Sequence, residues 1–505
     1  MTKTPDRSRP NILVIYADQM RADMMGCAGN PVIKTPYLDR LAGEGVRFEN
    51  AFVSYPLCCP FRASFLTGKY AHATSMFANH FPIDTNQTFL AQLLADAGYR
   101  TGYVGKWHLD GGPKPGFVPP GERRLGFQHF VGFNRGHQYL RSVFYRDTDQ
   151  PYRSARYEPD YQTDHVIEFM DEVLRADSGQ PFLAYICYGA PHYPVQQMPD
   201  YLKTLYDPAE VPLPRGVPNP ELQREVAQRR LTYDCAGDLK ALDRSKTGGE
   251  HVHSAEVETE EEIRQFIAHY YAMISNVDHN VGRLLNWLDA QGIADDTLVI
   301  FMSDHGDMLG QHGYYCGLKR TPYKGAMQVP FIVRYPRRFA AGHVATGLID
   351  VAVDTMPTLL ETCGLSIPDE VQGISYLSQL DGTAETTREA VMYEIMKSTD
   401  GGPGDYTPVP ERGIRTRDWL YVRQPTRRKF LFDLRGDPDE MTNLVEDSRH
   451  SARMDAFDRV IAEHMERTGD DWDLERPFPP PDFLTHAEAD AYLENVVLKT
   501  AQLVP

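Results

Sequence analysis

The sequence predicts an α/β protein: a layered, mostly parallel sheet with helices packed on it, followed by a smaller antiparallel sheet. Three observations predict it. The runs NILVIY at 11–16 and TLVIFM at 297–302 are continuously apolar and β-branched, as strands buried on both faces are. Stretches with helical periodicity lie between the strand runs, which is the alternation of an α/β layer pattern. From about Gly373 the pattern changes to short strands separated by turns.

The first strand ends at Asp18-Gln19. Polar residues just past the C-terminal end of a parallel strand are where open α/β sheets place their sites. Alone, Asp18 reads more readily as a helix cap or a turn residue. Thr35-Pro36 opens a helix to about Gly45, with Leu38 and Leu41 inward, and a strand follows at 48–53. The run CCPFRASFLTGK at 58–69 reads as a loop feeding a helix. Pro60 suits a first turn and Gly68 a stop. Cys58 would sit just before the electropositive helix N-terminus, with Arg62 one turn on and in reach of the same place.

A helix near 89–97 leads to a strand at 101–105. Lys106 and His108 stand at its end, two apart and so on one face of an extended chain. Residues 110–160, rich in Gly, Pro, Arg and Tyr, read as an insertion over the mouth of a site. An amphipathic helix at 164–176 precedes a strand at 182–187, which ends at APHYP, 190–194. Its prolines fix His192. The polar segment 195–256, with KTGGE at 246–250, reads as a lid or an oligomer contact. A long helix then starts at a capping box, Thr259 and Glu262, with an apolar stripe from Ile263 to Leu288 that is core. The strand at 297–302 ends at SDHGD, 303–307. A strand at 329–335 and a helix at 351–363 complete the layer, and His312 reads as structural. Short strands at 390–394, 413–416, 419–423 and 429–434 and a helix at 451–467 follow. The expected organisation is a catalytic domain over 1–374, a C-terminal subdomain over 375–470, and a Pro-rich arm over 471–505 that docks on another subunit of a homo-oligomer.

The chain has 505 residues and a formal net charge of −18, which argues against a nucleic-acid or anionic-membrane partner. Its seven cysteines are scattered and suggest no disulfide framework. A polar start that runs straight into a strand, with no apolar stretch long enough to span a bilayer, leads to the expectation of a cytoplasmic protein.

Taken together, Cys58, Pro60, Arg62, Ala63, Ser64, Leu66, Thr67 and Gly68 resemble the signature of the type I sulfatases. Phe61 stands where that family usually has a small residue. GKWHL at 105–109, PHYP at 191–194, the Asp18-Gln19 and Asp304-His305 pairs and FDLRGDPDE at 432–440 resemble further motifs of the family, in its order. The resemblance implies an alkaline-phosphatase-like doubly wound sheet sandwiched by helices, with a smaller C-terminal α/β subdomain. It implies that a formylglycine-generating enzyme converts Cys58 to formylglycine, whose hydrate is the nucleophile. It assigns one divalent metal ion to Asp18, Gln19, residue 58, Asp304 and His305. Oxygen ligands suit calcium first, and a histidine in the set admits manganese or zinc. Arg62, Lys106, His108, His192 and Lys319 complete the implied catalytic set. Those cations meet a requirement of the composition: an acidic protein acting on an anionic ester needs positive charge gathered at its site. The implied reaction is hydrolysis of a small-molecule sulfate ester. The alternative is a phosphonate monoester or phosphodiester, which relatives cleave with the same site. Tyr323-Lys324, where the family usually has Tyr-Glu, adds one more cation.

Overall fold

A computed structural model describes residues 9–230, 258–395 and 410–474, apart from positions 78, 80, 113 and 178. The KTGGE run and the arm from 475 onward lie outside the described residues.

The main sheet is built from β1 (Asn11–Asp18), β2 (Val46–Phe52), β3 (Arg100–Lys106) and β4 (His129–Phe133). A small hairpin of two-residue strands, β5 (Val143–Phe144) and β6 (Tyr152–Arg153), meets β4 through reciprocal backbone bonds between Gly132 and Tyr145. The sheet continues with β7 (Phe182–Pro191), β8 (Thr297–Ser303), β9 (Phe331–Arg334) and β10 (His343–Asp350). Its order is β10-β2-β9-β8-β1-β7-β3-β4. Only β9 runs against its neighbours. Helices cover both faces, and β1 shows why. Ile12, Val14 and Tyr16 enter one core with the helices Cys58–Thr67 and Val351–Thr362. Leu13, Ile15 and Ala17 enter the other with Pro36–Glu44, Glu158–Ala176 and Glu260–Ala290. A strand buried on both faces needs an unbroken apolar run, and that is what the sequence has there.

β4 corrects the reading of 110–160 as an insertion, because this segment supplies the eighth strand of the main sheet. Its signal is weak for a physical reason. Gly132 pairs with Gly105, which has φ +119°. A Cβ at Gly132 would meet the Gly105 carbonyl at 2.3 Å, and one at Gly105 the Cys187 carbonyl at 2.1 Å. The strands approach so closely that side chains are excluded there, and the alternation a strand should show is erased.

The second sheet, β11 (Val391–Ile395), β12 (Glu411–Arg415), β13 (Trp419–Gln424) and β14 (Arg427–Asp433), is an antiparallel meander. One face buries Tyr393, Leu420 and Val422 against Tyr314, Leu318 and Tyr323. The other packs Tyr421 and Leu431 with Ile461 and Met465 of the helix Ser451–Thr468. The first face therefore braces the loop that carries Lys319. Arg415 and Glu440 form a buried ion pair behind it, and Glu440 also accepts from the Lys324 N–H at 2.7 Å. Lys324 itself points to solvent, so the additional cation is not part of the site.

Candidate active site

Four strands deliver side chains to one place at the C-terminal edge of the sheet. β1 ends at Asp18, where its register with β7 shifts. Such irregularities re-aim a side chain as pairing ends. β8 leads into Asp304 and His305, β3 ends at Lys106, and the chain leaving β7 brings His192. The helix Cys58–Thr67 begins at Cys58 itself, with Leu57 as cap and Gly68 as its left-handed stop at φ +67°. Cys58 is therefore the first residue of the helix rather than the one before it.

Asp18, Cys58, Asp304 and His305 each bring one potential ligand atom within 4.8 Å of the others, and all four are buried. The Cys58 Sγ lies 3.2 Å from His305 Nε2 and 3.8 Å from Asp18 Oδ1. Asp304 Oδ1 accepts from the Gln19 N–H at 2.9 Å and the His305 N–H at 3.0 Å. Its Oδ2 is buried with no hydrogen-bond partner among the described residues. A buried carboxylate oxygen without a donor is costly unless a cation faces it. His305 Nδ1 stands 3.0 Å from the Gly306 carbonyl, which puts the ring proton on Nδ1 and leaves the Nε2 lone pair inward. Burial pushes His305 down to about 4, so the ring is neutral near pH 7. Two carboxylates, an imidazole and residue 58 thus fit one divalent cation.

Asp18 Oδ2 accepts from Lys106 Nζ at 2.7 Å and Arg62 Nη2 at 3.2 Å. Burial works against the charge of Asp18. Lys106, with Arg62, overcomes this and holds its carboxyl well below the usual range. Arg62 also donates to the Lys106 carbonyl at 2.6 Å and lies over the Tyr16 ring, 4.6 Å from its centroid. Burial lowers Lys106, but the Asp18 carboxylate more than offsets this and holds it above its ordinary value. Burial pushes the Cys58 thiol up to about 11. Phe61, in the same helix, is fully buried between Tyr16 and Phe65, with ring centroids 5.9 Å from each.

Lys319 Nζ lies 2.6 Å from Gln19 Oε1 and 2.7 Å from His192 Nε2. His192 Nδ1 faces the Tyr193 carbonyl at 2.6 Å, so Nδ1 carries the proton and Nε2 accepts from Lys319. Burial, reinforced by Lys319, lowers the His192 pKa well below its ordinary value. Gln19 has φ +66°. Its amide oxygen is taken by Lys319, and its nitrogen donates to Asp307 Oδ2 at 2.7 Å. His108 is the outlier of the expected set. It has left the strand, at φ +59°, so the two-apart rule does not place it with Lys106. Its Nδ1 is buried without a partner among the described residues. Burial, then Lys106 and Arg62, lower its pKa well below the ordinary value. His312 stacks on Tyr323 at 3.8 Å, a packing contact.

Three residues of the cluster were not among the expected site residues. His137 Nε2 lies 3.1 Å from Lys106 Nζ, and its ring stacks on His192. Tyr139 O–H faces His137 Nδ1 at 3.1 Å and donates to the His192 carbonyl at 2.6 Å. Asp307 holds Gln19 and accepts from the Leu309 and Gly317 N–H groups, each at 2.9 Å. Asp307 was visible two residues after His305. His137 and Tyr139 sit in the segment whose strand was hidden.

Comparison with known proteins agrees with this geometry. The family described as Sulfatase matches residues 10–365, and N-sulphoglucosamine sulphohydrolase, C-terminal, matches 310–467. The chain is similar to an ulvan-active sulfatase of Formosa agariphila, 30% identical over 469 residues, covering 92% of this chain and 83% of that one. Among solved structures it is similar to one in complex with its substrate D-glucosamine-2-N,6-O-disulfate. That likeness has a TM-score of 0.76 at 26% identity, over 93% of this chain and 100% of the other. It is also similar to a phosphonate monoester hydrolase from Silicibacter pomeroyi, with a TM-score of 0.72 at 25% identity, over 91% of this chain and 96% of the other.

Proposed function

Because this chain belongs to the sulfatase family, and is thus a hydrolase of sulfuric esters, we propose that it cleaves a sulfate monoester with residue 58, as formylglycine, for nucleophile. The observation that carries this reading is the position of Cys58. It stands on the first turn of a buried helix, between a carboxylate–imidazole set and the Lys106–Arg62 pair. Oxidised to formylglycine, it supplies the hydrated aldehyde, and a divalent cation held by Asp18, Asp304, His305 and residue 58 supplies Lewis-acid polarisation. Calcium suits the carboxylates, and His305 admits manganese or zinc.

The chain's own groups supply the rest. Arg62, Lys106 and Lys319 place fixed positive charge where sulfate oxygens gain negative charge. Their burial leaves little water to screen them. Lys319, with His192 accepting from it, holds a proton for the leaving oxygen. His108, neutral and with an Nδ1 that has no partner among the described residues, suits a proton acceptor.

A second reading is hydrolysis of a phosphonate monoester or phosphodiester, favoured by the fit to a phosphonate monoester hydrolase over 91% of the chain. Specificity constants for an aryl sulfate and an aryl phosphonate separate the two. A higher value for the phosphonate would overturn the sulfate assignment. Cys58→Ser protein that kept full turnover would remove the nucleophile assignment.

A further inference from the structure

Lys319 stands on irregular chain between β8 and β9, so no strand or helix sets its aim. Two neutral groups hold its ammonium, Gln19 Oε1 at 2.6 Å and His192 Nε2 at 2.7 Å. An ammonium has three N–H donors, and those two bonds fix the direction of the third. Gln19 presents its oxygen to the lysine because of Asp307. Three N–H groups point at the buried Asp307 carboxylate, which acts as an acceptor throughout. Its Oδ2 lies 2.7 Å from Gln19 Nε2, so the amide turns its NH2 to Asp307 and its oxygen to Lys319. With the amide reversed, an NH2 would face an ammonium and an oxygen would face a carboxylate. Asp307 also holds the backbone that carries the lysine. Its Oδ1 accepts from the Gly317 N–H at 2.9 Å, two residues before Lys319. The Met308 N–H donates to the Leu318 carbonyl at 2.8 Å, so residues 307–308 are tied to 317–318.

We propose that Asp307 is a positioning residue for the reaction. It aims the Lys319 ammonium at the leaving oxygen, through the Gln19 amide at the tip of the side chain and through the backbone at its root. The assignment rests on the reading above, in which Lys319 holds the proton for that oxygen. As the bond from sulfur to the leaving oxygen breaks, its electron pair stays on the oxygen and takes a proton from Lys319. A nitrophenolate is a weak base and leaves with little help. An unactivated phenolate needs the proton more. The effect of Asp307 therefore scales with the basicity of the leaving group, which a residue that merely supports the fold would not do.

The test uses metal-loaded protein with Cys58 converted, and reads kcat/KM on phenyl sulfate and para-nitrophenyl sulfate. Lys319→Ala should lose about tenfold more on phenyl sulfate than on para-nitrophenyl sulfate. Asp307→Asn sets an NH2 against either the Gln19 NH2 or the backbone N–H groups. It should show the same bias, about threefold to tenfold, with bound metal per chain unchanged. In the Lys319→Ala background Asp307→Asn should add no bias, to within about twofold. Gln19→Met leaves the backbone bonds of Asp307 in place and removes the amide. It should show the bias as well, and it carries the test if Asp307→Asn does not fold. Equal losses on both substrates, or a loss that follows lost metal, would overturn the proposal while the Lys319→Ala bias stands. A Lys319→Ala protein without the bias would overturn the leaving-group role of Lys319, and this assignment with it.

Discussion

The imidazole of His137 lies flat on that of His192, with ring centroids 3.6 Å apart and planes 5° from parallel. The stack joins the segment after β4 to the one after β7, and each ring faces a different lysine. Lys106 donates to His137 Nε2 and Lys319 to His192 Nε2. Tyr139 closes the arrangement by accepting from His137 Nδ1 and donating to the His192 carbonyl. His137 thus contacts both the His192 ring and the lysine that donates to Asp18.

His192→Ala should lower kcat about 10²–10⁴-fold, the range of a lost general acid–base partner. His137→Ala should lower it less, about tenfold, by loosening His192 and Lys106. His137→Phe, which keeps the stack, should recover part of that loss. Steady-state kinetics on an aryl sulfate read all three. A His137→Ala protein with unchanged kcat would contradict the positioning role.

The buried Asp304 Oδ2, which has no hydrogen-bond partner among the described residues, predicts a cation that stabilises the fold. Calcium at about a hundred times its dissociation constant should add about 2.7 kcal/mol to stability. Chelator should remove that gain, and Asp304→Asn should abolish it. Thermal unfolding with and without chelator measures this. Identical midpoints for the wild-type chain in the two conditions would contradict the cation site.

Phe61 is a packing residue. It is fully buried against Tyr16 and Phe65, in the core that underlies Arg62. Phe61→Ala should cost about 3–5 kcal/mol in urea unfolding, from lost burial and the cavity left behind. A cost below about 1 kcal/mol would show that the ring carries no such load, since surface substitutions stay within about half of that.

Outside the site, His72 Nδ1 lies 2.7 Å from Glu394 Oε2, beside the Arg412–Asp470 pair and His464. Burial lowers His72, but Glu394 outweighs it and raises the pKa above the ordinary 6.5. Burial raises Glu394, but His72 outweighs it and lowers the pKa below the ordinary 4.5. The histidine's contribution is full below its unfolded value and lost as pH rises through its raised folded value. The glutamate's is present above its unfolded value and lost as pH falls through its lowered one. The stability lost in His72→Gln should therefore be greatest between the ordinary values of 4.5 and 6.5, and shrink on either side. Denaturant midpoints across pH test it. A difference that keeps growing above the histidine range would contradict the pairing.

Much of the site was legible because its residues sit in short contiguous motifs at strand ends. Asp18 and Asp304-His305 each follow an unbroken apolar strand, and Cys58 and Arg62 share one helical turn. The same holds for the capping box, where Thr259 and Glu262 bond reciprocally as their spacing suggests. Contacts between distant segments were not legible. His137 owes its place to β4, whose alternation is erased where Gly132 meets Gly105. Lys106 and His108 looked like neighbours on one face, but the left-handed backbone at His108 breaks the extended geometry that the inference needs. β10 was missed as well. Glycine interrupts it, and its register with β2 shifts between Ala345 and Leu348. As for the membrane, no helix among the described residues is long and apolar enough to cross one.

The central claim is that residue 58 acts as formylglycine, and the mass of the proteolytic peptide containing it tests this most directly. In protein co-expressed with a formylglycine-generating enzyme, the peptide should be lighter than its cysteine form by roughly 18 Da, a covalent change that packing alone does not produce. An intact Cys58 thiol in catalytically active, co-expressed protein would contradict the claim.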